Sequence, residues 1–245
     1  MDNVQQGPGA QPPAGDAGVV ATIVELVQTG PLALGAFTTA EILAVNGPAP
    51  GLPVPEPAVL AEAVRGLVAR GLAVPVDGSD QIDVQGDLGL VLTLQQRTRL
   101  VVDIMFRGDE AQRPPHVVLL PQPEGITLID SVDRIGLHHM VAVPTGEAVD
   151  RLREELPHGK AGAASEAPVE DQIAAADDAV LITVARFSDA APASSEDLVA
   201  VKTGAEVRIM RRAAADAPWE HQPGEGSALG LVQELAAPLL DAAAE

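Results

Sequence analysis

The sequence predicts an α+β protein: two pseudo-repeated halves with antiparallel β-sheet and flanking helices, preceded by an N-terminal winged-helix-like helical unit. Three observations predict it. Before residue 98, apolar residues recur at helical spacing and are punctuated by a glycine stop and a short ribbon. Residues 99–157 and 179–240 share one plan, three strand-like runs, a short linking segment and a helix. The connections between those runs are of hairpin length, which favours antiparallel over parallel pairing.

Each element follows from its own residues. Residues 1–17 are rich in Gln, Gly, Pro and Ala and are expected to be disordered. "VVATIVELVQTG" (19–30) reads as a first helix stopped by Gly30 and Pro31. "TTAEILAVNG" (38–47) reads as a second, with Thr38 or Thr39 as its cap and Glu41 in its first turn. A Pro/Gly-rich loop (48–57) leads to "VLAEAVRGLVARGLAVPVDG" (59–78), where Val59, Leu60, Ala63, Val64, Leu67 and Val68 line one helical face. Gly71 stops that helix and Leu72–Val76 opens a ribbon reaching residue 84. "GDLGLVLTLQQR" (86–97) fits a helix or a strand. "RLVVDIMF" (99–106), "HVVLLPQ" (116–122), "GITLIDSV" (125–132) and the weaker "GLHHMVAVP" (136–144) read as strands, and "TGEAVDRLREELP" (145–157) as an amphipathic helix. Together, 18–157 form the helical unit and first half. Residues 158–178, small, polar and acidic, read as a linker or mobile loop. The second half, 179–245, holds strands at 179–187, 196–204 and 205–213, a loop with the only tryptophan, and a helix at 227–240.

Composition bounds the function. Hydrophobic residues are 47 % of the 245 but aromatics only 2 %, so the core is built from Leu, Val, Ile and Ala. A formal charge of −20 opposes nucleic acid and anionic membrane surfaces. No apolar run is long enough to span a bilayer, and the N-terminus lacks a basic, apolar leader pattern. The absence of cysteine excludes disulfides and thiolate chemistry and fits a cytoplasmic location.

No catalytic, cofactor-binding or metal-binding set emerges. His138 and His139 are adjacent, so on a strand they point to opposite faces and cannot chelate one ion. His116 and His221 stand alone, and neither a phosphate loop nor a nucleophile elbow occurs. The winged-helix unit has the wrong charge for DNA. Arg65 is the first basic residue of the chain, preceded by six carboxylates, so a helix at 57–70 offers phosphates only Arg65 and Arg70. Arg97, Arg99, Arg107 and Arg113 bracket the first strand, and Arg208, Arg211 and Arg212 end another. These serve as sheet-edge protection or as a cationic patch for an acidic partner. Trp219 serves as hinge packing or as an interface anchor.

The order of these parts resembles the EspG family of type VII (ESX) secretion chaperones of actinobacteria. "LVARGLAVPVDG" (67–78), "DLGLVLTLQQRTRLVVDIMF" (87–106) and "HHMVAVPTGEAVDRLREELP" (138–157) carry the resemblance, which covers roughly residues 20–240. It implies a cytoplasmic, non-catalytic chaperone that binds the apolar tip of a secreted helical partner, a PE–PPE-type heterodimer, through its sheet face and nearby loops. Carried over by position, it points to the loop 107–115 with Arg107 and Arg113 and to the C-terminal helix 227–240 with Leu231 and Leu235; Leu119 and Trp219 are the other candidate partner-binding residues. The alternatives are a winged-helix-type regulator and a non-catalytic assembly scaffold.

Overall fold

The computed structural model describes residues 15–47, 55–78, 81–107, 113–187 and 194–223. Helix α1 (Gly15–Gln28) buries Val20, Ile23 and Val27, the expected helical stripe. Strand β1 (Leu32–Thr38) is an element the periodicity did not announce. Its alternation is broken by a bulge between Ala33 and Ala36, with Gly35 at φ +93°, so the buried residues are Leu34 and Phe37, three apart. Thr38 then caps α2 (Thr39–Asn46) in a capping box: its Oγ1 accepts from the Glu41 N–H, and Glu41 accepts from the Thr38 N–H.

Helix α3 (Pro57–Ala69) begins with proline at its first turn and ends before Gly71, whose φ of +70° is the left-handed stop. Strands β2 (Ala73–Pro75) and β3 (Ile82–Val84) form the small ribbon, and α4 (Gly86–Arg97) resolves the ambiguous segment as a helix burying Leu88, Val91 and Leu94. On α3 and at its cap, Arg65 lies 2.5 Å from Glu62 and Arg70 lies 2.8 Å from Glu41, so a carboxylate stands beside each of the two cations of this helix.

The first half follows: β4 (Leu100–Arg107), β5 (His116–Pro121), β6 (Ile126–Val132), β7 (Leu137–Pro144) and helix α5 (Thr145–Glu155). Residues 158–178, expected as a linker, contain β8 (Lys160–Ala161) and α6 (Val169–Ala175). Their glycines serve close approach. A Cβ on Gly159 would stand 2.5 Å from the Ala205 carbonyl oxygen, and one on Gly162 2.6 Å from Arg208 Cγ. The second half comprises β9 (Asp178–Arg186), β10 (Ser194–Thr203), β11 (Glu206–Arg212) and β12 (Glu220–His221). The helix expected at 227–240, with Leu231 and Leu235, lies outside the described residues.

All strands except the β2–β3 ribbon join one ten-stranded sheet in the order β1-β7-β6-β5-β4-β9-β10-β11-β12. Each half is a meander, and the halves meet through their first strands, paired antiparallel from Leu100↔Arg186 to Arg107↔Ala179. The sheet is antiparallel apart from β8, which runs parallel along Glu206–Val207 while β12 covers Met210–Arg211 of the same edge. Strand alternation divides the core in two. On the α5 face lie Val102, Ile104, Leu119, Val143, Ile182 and Ala200 with Val149 and Leu152 of the helix. On the opposite face, α1 and α4 cover Leu120, Leu128 and Ala142 of the first half, and α6 covers Ala179, Val199 and Val201 of the second.

Candidate functional site

Between those two covered ends, the opposite face carries a row across seven strands that is polar at five of them. Register places Met140, Asp130, Val118, Asp103, Thr183, Asp197 and Arg212 side by side, each opposite the next. Carboxylates in mid-strand are unfavourable unless partnered, and here each is partnered. His116 lies 2.7 Å from Asp103 Oδ1, and His138 Nδ1 lies 2.8 Å from Asp130 Oδ2. Thr183 donates 2.6 Å to Asp197, whose second oxygen accepts from Arg212 Nε at 2.6 Å. The hydrogen bond to Asp103 raises the His116 pKa above its ordinary value; burial opposes this, and the Asp103 and Asp130 charges reinforce it.

The row is buried at its ends and open at its centre. Asp130 and Asp197 are buried, whereas the Asp103 side chain is 42 % exposed. On the same face Met105 is 49 % exposed and Phe187, just beyond β9, is 44 % exposed. Met105 pairs with Leu181, so the two apolar side chains lie six residues apart, about 20 Å along the strand direction. The result is a patch of sheet with an apolar side chain at each end and a carboxylate–imidazole pair near its middle.

His138 also places Nε2 3.1 Å from Thr39 Oγ1, at the start of α2. Carboxylate, imidazole and hydroxyl thus stand in series, the order a hydrolytic triad uses. None of the described cavities adjoins Thr39, and the series links α2 to the sheet. His139 turns instead to Asp133 at 3.1 Å, as the alternation of adjacent strand residues requires. Among the described residues no cluster of His, Asp and Glu has the arrangement of a metal site.

The residues implied by position do not converge. Arg107, at the end of β4, donates to the Ala174 carbonyl of α6. The Arg113 side chain is 8 % exposed, paired with Asp178 at 2.6 Å and stacked 4.6 Å over the Phe106 ring. It lines a cavity of about 290 Å³ beside Glu155, whose carboxyl pKa burial pushes up. Leu119 is 2 % exposed, in the core under α5 rather than on a surface. Trp219 packs beside α6 with Arg212 4.6 Å over its ring. Among the clustered arginines, Arg97 pairs with Glu124, Arg211 with Glu196 and Arg212 with Asp197, so local carboxylates answer these charges. Sequence reading missed Asp103, His116, Asp130 and Thr183 as a group. The available signal was an aspartate inside each of two apolar runs, "RLVVDIMF" and "GITLIDSV".

Fold and surface together define an α+β protein with one large, mainly antiparallel sheet, on one face of which Met105 and Phe187 stand exposed among the described residues. Among solved structures, the chain is similar to the Mycobacterium tuberculosis type VII secretion system chaperone EspG5, solved in complex with a PE25–PPE41 dimer: 14 % identity, TM-score 0.45, covering 85 % of this chain and 96 % of that one. No family model and no curated protein matches the chain.

Proposed function

We propose that the chain is a protein-binding chaperone or adaptor that receives an apolar helical partner on the open centre of its sheet. The carrying observation is the exposure of Met105 and Phe187 on a face whose flanks are covered by the protein's own helices. An exposed apolar pair beside a satisfied polar pair is the composition of a docking surface: apolar anchors for affinity, polar groups for register. Its length of about 20 Å accommodates three to four turns of helix. The sequence resemblance in residues 67–78, 87–106 and 138–157 names the partner to try first, a PE–PPE-type heterodimer awaiting type VII export. No titrating group is needed for this role; burial of about 800 Å² on each side suffices.

The test is co-expression with the PE–PPE pairs of the chain's own host, followed by affinity capture in high salt. An apolar contact survives salt that screens ion pairs. Met105→Asp and Phe187→Asp each lose the captured heterodimer while melting as the parent does. Undiminished capture by the double variant would sink the proposal.

A further inference from the structure

On the α5 face of the second half, Val184, Leu198, Ala200 and Ile209 are buried, none more than 9 % exposed. A sheet face stays out of water only under a second layer. The described helices lie elsewhere: α5 packs on β6 and β7, α1 and α4 cover the first half of the opposite face, and α6 covers the second. Leu156, where α5 ends, shares a cavity with Asp178 and Lys202 at one end of β9 and β10. Val184 and Leu198 stand six and four residues further along those strands, about 20 and 13 Å away.

The last described residues bring the chain itself to this surface. The Gln222 N–H donates 2.8 Å to the Ile209 carbonyl, and Gln222 and Pro223 line a hollow of about 180 Å³ with Val207 and Ile209, both members of the α5-face core. Twenty-two residues follow Pro223. The internal stretches 108–112 and 188–193 offer five and six residues, each joining strands that pair with one another, and residues 1–14 precede α1 on the other face.

We propose that residues 227–237 form a helix that covers the second half of this face as α5 covers the first, so that the chain's own C-terminal segment closes the core. The antiparallel pairing of β4 with β9, Ile104 opposite Ile182, sets a two-fold axis normal to the sheet. Such an axis exchanges the halves and leaves each face on its own side. Four strands and a helix, β4–β7 and α5, therefore map onto β9–β12 and a helix on the face that carries α5. The residues fit that place. Ala228, Leu231, Val232 and Leu235 recur at i, i+3, i+4 and i+7, with Gly230, Gln233 and Glu234 on the opposite side. Pro238 has no N–H for a further turn and restricts the residue before it, so the helix stops at Ala237, eleven residues long like α5. Its length of about 16 Å spans three strands at their usual spacing. Leu231 and Leu235 then belong to the core rather than to a partner surface. The docking reading concerns the opposite face, so the two stand or fall separately.

The test is methyl NMR of the full chain labelled at Ile, Leu and Val. Nuclear Overhauser cross-peaks are expected from Leu231, Val232 or Leu235 to Val184, Leu198 or Ile209. Leu231→Asp with Leu235→Asp sets two carboxylates in the apolar layer; it lowers the melting temperature by several degrees and shifts the Leu198 and Ile209 methyl signals. Gln233→Asp adds a carboxylate on the far side of the helix and leaves both as they are. Where the double variant fails to fold, the cross-peaks of the parent chain decide. The proposal is overturned if the three side chains contact Val199 or Val201 on the other face, or contact no strand. It is equally overturned if mixed labelling shows the contact to run between copies, if Leu198 and Ile209 contact another segment instead, or if Gln233→Asp perturbs the fold as strongly as the leucine pair.

Discussion

At the scale of single residues, His116 is the group whose behaviour the geometry fixes most directly. The Asp103 carboxylate 2.7 Å away favours the protonated imidazole and raises its pKa in the folded chain. A folded value above the unfolded one stabilises the protein most below the ordinary histidine range near 6.5, and that contribution is lost as pH rises through the folded value. Asp103→Asn lowers the His116 pKa, and a ring-proton NMR titration reads it; a titration curve that does not move contradicts the assignment. His116→Gln removes this part of the pH dependence of the melting temperature. The strand runs that hold these residues were plain from β-branched and apolar content. Which carboxylate meets which imidazole was not, because a one-residue slip in pairing moves every side chain to the other face and the chain order does not state the register.

Elements show the same division. Helices α2, α3 and α5 announced themselves through caps, glycine stops and apolar stripes, because those signals are local. Thr38→Ala removes the acceptor for the Glu41 N–H and costs about 1 kcal/mol in chemical denaturation; a cost near zero means the cap is not used in solution. Strand β1 was illegible because its bulge spaces Leu34 and Phe37 by three, erasing the period of two. The segment 158–178 looked like a linker because glycine and alanine resemble flexible chain, whereas positions 159 and 162 leave no room for a Cβ beside Ala205 and Arg208. Gly159→Val therefore destabilises the fold by about 1–3 kcal/mol through overpacking against the Ala205 carbonyl, measurable as a lowered denaturation midpoint. A true linker would tolerate it without loss.

At the scale of the whole molecule, the repeat of three strands and a helix was visible in pattern, yet its consequence needed the pairing of β4 with β9. That junction makes one sheet of two meanders, with Ile104 and Ile182 opposite each other in the shared core. Ile182→Ala costs about 2–5 kcal/mol and lowers the midpoint of both halves together, since the core it opens belongs to both; separate transitions would show that the halves fold independently. The same junction places Met105 and Phe187, both exposed, on one face of the sheet, the basis of the partner-binding proposal. Of the methionines in the described residues, Met140 and Met210 are buried and Met105 is half exposed, which makes peroxide oxidation of Met105 a direct footprint of the surface. The measurement is its oxidation rate, read by peptide mass spectrometry, for the free protein and for the protein mixed with a PE–PPE-type heterodimer of its host. The account predicts a slowing at Met105 in the complex with no change at residues remote from the open face. A heterodimer that binds while Met105 oxidises as fast as before, or one that does not bind at all, contradicts it.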